Sequence, residues 1–300
     1  MKPIPILQQA PSSENVCAVL VSYFPEGDFL SRLRQIRSQV AQLAVVDNAS
    51  SDKTVNLLEA AQAELGITVI RNPANLGIAT ALNQGTRWAM EKGYAWCLLF
   101  DQDTTPAPGM LQTLIRAYNE FPHKDRLAVL GSNYRGSQSA AVCVQKTQSW
   151  IEQKTVITSG SLVSLAALEC IGPFRDEFFI DCVDFDFCLR ARSMGFEVVE
   201  VIEPVMEHFI GAPSRHRLLW SQRNVFNHSP FRWYYKTRNN IVLCGEYLWK
   251  EPAWVIRAVG ARILESLLML LFENSRLLKV KYMAAGFCDG VSGRLGKIAG

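Results

Sequence analysis

The sequence predicts an α/β fold, with helices on both faces of a mostly parallel sheet and a helical appendage at the C-terminus. Three observations predict it. Between residues 16 and 130, short apolar runs alternate with segments of helical period, the rhythm of strand–helix–strand crossovers. Polar clusters follow four of those runs (Ser22-Tyr23, Asp47-Asn48, Arg71-Asn72 and Asp101-Gln102-Asp103), as expected where ligands bind beyond the carboxyl ends of parallel strands. From about Phe231 onward the pattern is helical, aromatic and basic.

The elements follow in order. Val16–Val21 is a continuous apolar run suited to a strand buried on both faces. Phe29 to Val40 reads as a helix, and Leu43–Val46 as a second strand running into Asp47. Ser51 or Asp52 is placed to cap a helix that runs to Leu65 and stops at Gly66. Ile67–Ile70 is the third strand, Ala79–Lys92 the third helix, and Trp96–Phe100 a fourth strand ending at Asp101. Pro108 opens a helix to Phe121, and Leu127–Leu130 is a fifth strand. Residues 132–156 lack a clear period and read as loops with a short hairpin. A helix follows Asp186, and Val198–Ile202 is a further strand.

Composition narrows the function. Apolar residues make up 49% and charged residues 20%, so a buried core forms and disorder is excluded. Residues 211–300 hold 14 Lys and Arg against 5 Asp and Glu, whereas the first 210 hold 17 against 23. An acidic front opposes a phosphate backbone, which argues against a nucleic-acid partner. The cysteines form no CxxC pair, so neither a zinc knuckle nor a thioredoxin-like site is indicated, and reduced thiols in a cytoplasmic protein are expected. The first 15 residues carry no apolar signal core. The longest apolar stretch, Ile263–Phe272, contains Glu265 and is about half of the roughly 20 residues a bilayer span needs. No GxGxxG follows the first strand and no P-loop occurs, which argues against dinucleotide oxidoreductases and P-loop NTPases.

The sharpest chemical signal is Asp101-Gln102-Asp103. Two carboxylates just past a buried strand are costly unless something pairs them. A divalent cation, Mg²⁺ or Mn²⁺, does so with one or two carboxylates plus phosphate and water. Asp47 ends its strand where a carboxylate accepts the N3–H of a pyrimidine, or else closes a capping turn over Asn48–Asp52. In the turn-like Arg71–Gly77, Gly77 permits close backbone approach to a ligand, and Asn75 and Asn83 offer amide contacts. Asp181, Asp184 and Asp186 form a second acidic cluster, suited to taking a proton from an acceptor hydroxyl or to a helix N-terminus. His208, after a strand, is a borderline metal ligand or a structural residue.

Together, VSYFP, VVDNASSD, RNPANLGIATALNQG, FDQD, TSGSL and FFIDCVDFDFCLRARSMGF with EHFIG resemble the family 2 glycosyltransferases of GT-A fold over residues 16–212. The tail, with SPFRWYYKTRNNIVLC and GFCDGVSGRLGK, resembles bacterial rhamnosyltransferases that build surface polysaccharides such as O-antigen. The resemblance implies a metal-dependent, inverting transfer of a sugar, L-rhamnose from dTDP-rhamnose or a UDP-linked sugar, to a saccharide or polyprenyl-diphosphate-linked acceptor. It implies that Tyr23 and Asp47 line the nucleobase pocket and that Asp101 and Asp103 hold the ion against the diphosphate. Gln102 shares their turn. His208 is implied as a further metal contact, and Gly160 and Ser161 as neighbours of the donor sugar or acceptor. Where the family often carries Glu-Asp, this chain has Val183-Asp184. Asp184 is therefore the expected base, with Asp181 its rival.

Three regions are expected: a flexible N-terminus (1–14), a catalytic domain (15–212) and a basic, aromatic helical region (213–300). The last suits peripheral contact with the inner face of the cell membrane; packing on the core or in a homodimer is the alternative. Arg238, with Arg232 and Asn239, is placed to reach the donor site.

Overall fold

The structure, a computed structural model, describes residues 9–134, 148–208, 214–218 and 221–298. Most of the expected N-terminal tail, residues 135–147 of the aperiodic region and residues 209–213 lie outside the described residues. The chain forms two compact units. One comprises the residues up to Arg175 together with Val183–His208, and the other joins Asp176–Cys182 to the residues after 208. The short segment before Val183 thus belongs with the C-terminal region, a division that a contiguous split at residue 212 does not contain.

Among the described residues, the first unit has nine strands: β1 (Val16–Ser22), β2 (Gln42–Asp47), β3 (Thr68–Arg71), β4 (Trp96–Asp101), β5 (Thr104–Pro106), β6 (Leu127–Tyr134), β7 (Trp150–Glu152), β8 (Leu162–Ser164) and β9 (Glu197–His208). Their order is β3-β2-β1-β4-β8-β6-β9-β5, with β7 also on β9. β3, β2, β1 and β4 are parallel. β8 runs antiparallel between β4 and β6, whereas β6 and β9 pair in parallel. Its helices are α1 (Phe29–Arg37), α2 (Asp52–Leu65), α3 (Ile78–Glu91), α4 (Met110–Glu120), α5 (Leu165–Ile171) and α6 (Val183–Ser193). This mixed, mostly parallel sheet with flanking helices is the α/β architecture that the sequence predicts.

Local chemistry sets the helix ends. Asp28 caps α1 by accepting the Ser31 amide, and Gly66 ends α2 in the left-handed region. Ser51 occupies the position before α2 but makes no side-chain cap there. The apolar faces of β1, β2, β4 and β6 and of α1 and α4 share one core that includes Leu20, Leu33, Trp96, Phe100 and Leu114. β5, β8 and α5 are absent from the sequence reading. β5 and β8 have only three residues each, too few to show a two-residue period, and β8 merges with α5 into one apolar run. β9 runs past its expected end at Ile202 through Pro204, which sits opposite Asn133 where the register shifts, a tolerated place for a strand proline.

The second unit contains an antiparallel hairpin of β10 (Ser214–Leu218) and β11 (Ser221–Val225), then α7 (Pro230–Tyr247), α8 (Pro252–Phe272) and α9 (Arg276–Ser292). Among the described residues, no helix is long and apolar enough to cross a membrane. α7 begins as capping rules require, with Ser229 accepting the Arg232 amide and Pro230 in the first turn. α9 lies close on α7 because it presents glycines: a Cβ at Gly286 would stand 2.4 Å from the Tyr234 carbonyl oxygen, and one at Gly290 2.9 Å from that of Arg238.

α7 also grips Asp176–Cys182. The buried Arg238 guanidinium packs over the rings of Tyr234 and Tyr235, and donates to the carbonyls of Glu177 (2.8 Å), Phe178 (3.2 Å) and Gly296. Asn239 donates to the carbonyls of Phe178, Ile180 and Asp181, each at 2.9 Å. In the gripped segment, Phe179, Asp181 and Cys182 all hold positive φ near 63°, a strained state for residues other than glycine.

His228 is buried in this unit. Burial, then the charges of Lys236 and Arg232, push its pKa down from 6.5 to about 3. Folded, it stays neutral, whereas the unfolded chain takes up a proton below pH 6.5. Its contribution to stability is therefore complete above pH 6.5 and is lost progressively as pH falls toward 3. Thermal unfolding of wild type and His228→Gln between pH 7.5 and pH 4.5 checks this: the wild-type midpoint should fall with acid more steeply than that of the variant, and parallel curves would refute the assignment.

Candidate active site

The parallel register sets the strand ends level. Ser22 lies opposite Asp47, and Val21 opposite Asp101, so β1, β2 and β4 deliver their last residues to one edge. Asp47, 2% exposed, is built into a turn there. Its Oδ1 accepts the hydroxyls of Ser22 (2.9 Å) and Ser50 (2.6 Å), and its Oδ2 accepts the Ser50 amide (3.0 Å). The turn reading of Asp47 accounts for these contacts. Tyr23 is 45% exposed, and its amide donates to Oε1 of Gln102 (2.6 Å). That bond ties the end of β1 to the acidic turn and occupies the Gln102 carbonyl.

The acidic turn, Asp101 to Thr104, rests on a second turn, Thr158–Ser161. The Asp101 amide donates to the Ser159 hydroxyl (3.0 Å), which also bonds the Thr104 hydroxyl (2.6 Å). The Gly160 amide donates to the Leu99 carbonyl (2.7 Å), and the Leu99 amide to that of Ser161 (2.9 Å), extending the β4–β8 ladder to the turn. Gly160 takes φ +77°, and its carbonyl accepts the Ser132 hydroxyl (2.6 Å). A Cβ there would meet Met206 Sδ at 2.5 Å and Ser132 Cβ at 2.9 Å. Ser161 is buried, with its hydroxyl donating to the Ile157 carbonyl (2.6 Å). These contacts make Gly160 and Ser161 parts of the frame.

The same turn reaches the second acidic cluster. The Thr158 amide donates to Asp184 Oδ2 (3.1 Å), and the Phe185 amide to Asp184 Oδ1 (2.9 Å). Asp184, in the first turn of α6, is half-buried. Consecutive residues Thr158 and Ser159 therefore hold Asp184 and the Asp101 turn together. The three acidic residues do not act as one group. Asp186, fully buried, pairs with Arg190 (2.8 Å) and Arg175 (3.3 Å). In the second unit, Arg232 grips both carboxylate oxygens of Asp181 at 3.0–3.2 Å. Burial alone would raise the pKa of Asp181, but Arg232 and Lys236 hold it below the ordinary carboxylate value. A carboxylate so held is a weak proton acceptor.

The remaining expected contacts divide. Asn75 accepts the Gly77 amide (2.9 Å), and Gly77, at φ +88°, opens α3 while its carbonyl accepts Asn48 Nδ2 (3.1 Å). Asn83 is buried and exchanges two 2.8 Å bonds with the backbone of Phe174, so its amide braces α3 instead of facing a ligand. Arg238 is likewise corrected: its buried guanidinium is used on backbone carbonyls within the second unit. Thr158, Ser159, Thr104 and Ser132 were missed, although the hydroxyl-rich run before Gly160 was a visible signal.

For the metal, Asp101 and Asp103 supply two carboxylates from one turn, each with its Oδ1 shielded from solvent. Among the described residues, no group of three or more His, Cys, Asp or Glu is placed to hold a metal. The side chain of His208 lies outside the described residues; its backbone pairs with Thr104 on β5, one residue from Asp103. Two hard oxygen donors fit Mg²⁺ or Mn²⁺, which draw their other ligands from phosphate and water.

Residues 18–162 match the family model described as Glycosyl transferase family 2. The chain is 27% identical to the dTDP-rhamnosyl transferase RfbF of Shigella flexneri, over 95% of this chain and 98% of that protein. Among solved structures, it is similar to the mannosyltransferase PcManGT of Pyrobaculum calidifontis in complex with GDP-Man and Mn²⁺. The TM-score is 0.55 at 16% identity, over 99% of this chain and 80% of the other. It is also similar to GalNAc-T7 with UDP, GalNAc and Mn²⁺, with a TM-score of 0.60 at 13% identity; the match covers 96% of this chain but only 59% of that one.

Gly160→Ala tests the frame. A left-handed alanine costs roughly 1–2 kcal/mol and overpacking typically about 1–3 kcal/mol. Denaturant unfolding should therefore show a loss of about 2–5 kcal/mol, and a loss below about 0.5 kcal/mol would show that the turn is not under this constraint.

Proposed function

We propose that this chain, which carries a family 2 glycosyltransferase domain, transfers L-rhamnose from dTDP-rhamnose to a hydroxyl of a saccharide or polyprenyl-diphosphate-linked acceptor in bacterial surface polysaccharide synthesis. The observation that carries the donor assignment is the end-to-end similarity to a dTDP-rhamnosyl transferase. The seven described cysteines are all free thiols, which suits a reducing, cytoplasmic setting.

Asp184 is the base. Two backbone amides hold its oxygens, which fixes its direction, whereas its rival Asp181 is held by Arg232 below the ordinary carboxylate value. It takes the acceptor hydroxyl proton as that oxygen bonds to the anomeric carbon. The bond from that carbon to the diphosphate oxygen breaks on the opposite side, configuration inverts, and dTDP leaves. Asp101 and Asp103 would hold Mg²⁺ or Mn²⁺, which when bound neutralises negative charge on the leaving diphosphate. Tyr23 lies exposed at the end of β1, next to the Asp47 turn, and offers an aromatic face to the base. Thymine and uracil present the same N3–H, so this pocket serves dTDP- and UDP-sugars alike, and the choice of donor falls to the sugar side.

Release of nucleotide from a panel of dTDP- and UDP-sugars, with Mn²⁺ or with chelator, tests the reading. Turnover should be confined to dTDP-rhamnose and be abolished by chelation. Asp184→Asn should lower kcat about 10³-fold, within the range for general-base catalysis, with dTDP affinity unchanged by calorimetry. Turnover of a UDP-sugar alone would reassign the donor, and a wild-type rate in the variant would remove Asp184 from the mechanism.

A further inference from the structure

α8 is apolar on two faces. One is buried within the second unit through Trp254, Val255, Leu268 and Met269. The other carries Ile256, Val259, Ile263, Leu267, Leu270 and Leu271, three or four residues apart and so aligned along one side. All six are solvent-exposed, Ile256 at 72%. Across the short turn after Phe272, α9 begins with Leu277, 88% exposed, and Leu278. Exposed aliphatic rows of this length mark an interaction surface.

Charge identifies the partner. The exposed charged side chains from Lys250 to Lys281 are Lys250, Arg257, Arg276 and Lys281, all cationic. The acids of the same span are turned inward: Glu265 pairs with Lys236 and Arg262, Glu273 is buried against Lys279 (2.6 Å), and Glu251 is half-buried. A second copy docked on this face would bring the same cations against one another, because a two-fold interface is self-complementary. An anionic lipid surface instead accepts the aliphatic row and the cations together.

We infer that the α8 face, continued by the first turn of α9, docks in the plane of an anionic bilayer surface. This inference stands on the surface alone and not on the transfer reading, and lipid partition is measured without sugar transfer, so either can fail separately.

Co-sedimentation of the full chain with vesicles of mixed phosphatidylglycerol and phosphatidylcholine, compared with phosphatidylcholine alone, provides the test. Partition into the mixed vesicles is expected, weakening as salt rises. Leu270→Glu with Leu277→Glu should abolish it with the circular-dichroism melt retained. Should that pair disturb folding, Arg276→Gln with Lys281→Gln is the second arm, expected to weaken partition about 30-fold at about 1 kcal/mol per charge. Absence of partition, or equal partition into both vesicle types, overturns the inference. So does a dimer in light scattering that the leucine variant dissociates in the absence of vesicle binding.

Discussion

Two hydrogen bonds from consecutive residues constrain the candidate site. The Thr158 amide fixes Asp184 and the Ser159 hydroxyl fixes the Asp101 turn. The acidic side chains lie far apart in sequence and would repel one another if they met unaided. Their segments are tied to one turn by neutral groups: the Thr158 amide donates to Asp184, and the Ser159 hydroxyl accepts the Asp101 amide. Asp186 and Asp181 are each clamped by arginine.

The turn holds its position because the sheet changes direction at that point. β8 runs antiparallel to β4, so the residues entering β8 pass directly beside those leaving β4. The Leu99–Gly160 bond continues that ladder past the last paired strand residues. Close packing then leaves no room for a side chain at Gly160, whose left-handed backbone aims Thr158 and Ser159 back at the acidic residues. In the second unit the same logic runs with charge. Arg238 and Asn239 supply the donors that hold the strained Phe179–Cys182 backbone, and glycines on α9 let the helices close around it.

The parallel half of the sheet was legible because β1, β2 and β4 are continuous apolar runs, each followed by a polar residue that the register brings to one edge. The acidic turn was legible for the same reason. The antiparallel half was not: β5 and β8 are three residues long, and their pairing is set by partners distant in sequence. Side-chain placements were legible at Asp101 and Asp103, at the end of β4 and just past it, and at Asp184, in the first turn of α6. They were misread where an amide or guanidinium is absorbed by backbone carbonyls, as at Asn83 and Arg238, because no local pattern records which distant carbonyls lack a donor. For Asp181, the decisive fact is Arg232, 51 residues away in sequence.

Calorimetric titration of dTDP into wild-type and Ser159→Ala protein, with and without Mn²⁺, addresses the central constraint most directly. If the Ser159 hydroxyl sets the carboxylates for the ion, the variant should bind dTDP about tenfold more weakly in Mn²⁺, the 1.4 kcal/mol typical of one lost hydrogen bond, and equally well without metal. Identical affinities in Mn²⁺ would contradict a site assembled by the Thr158–Ser161 turn.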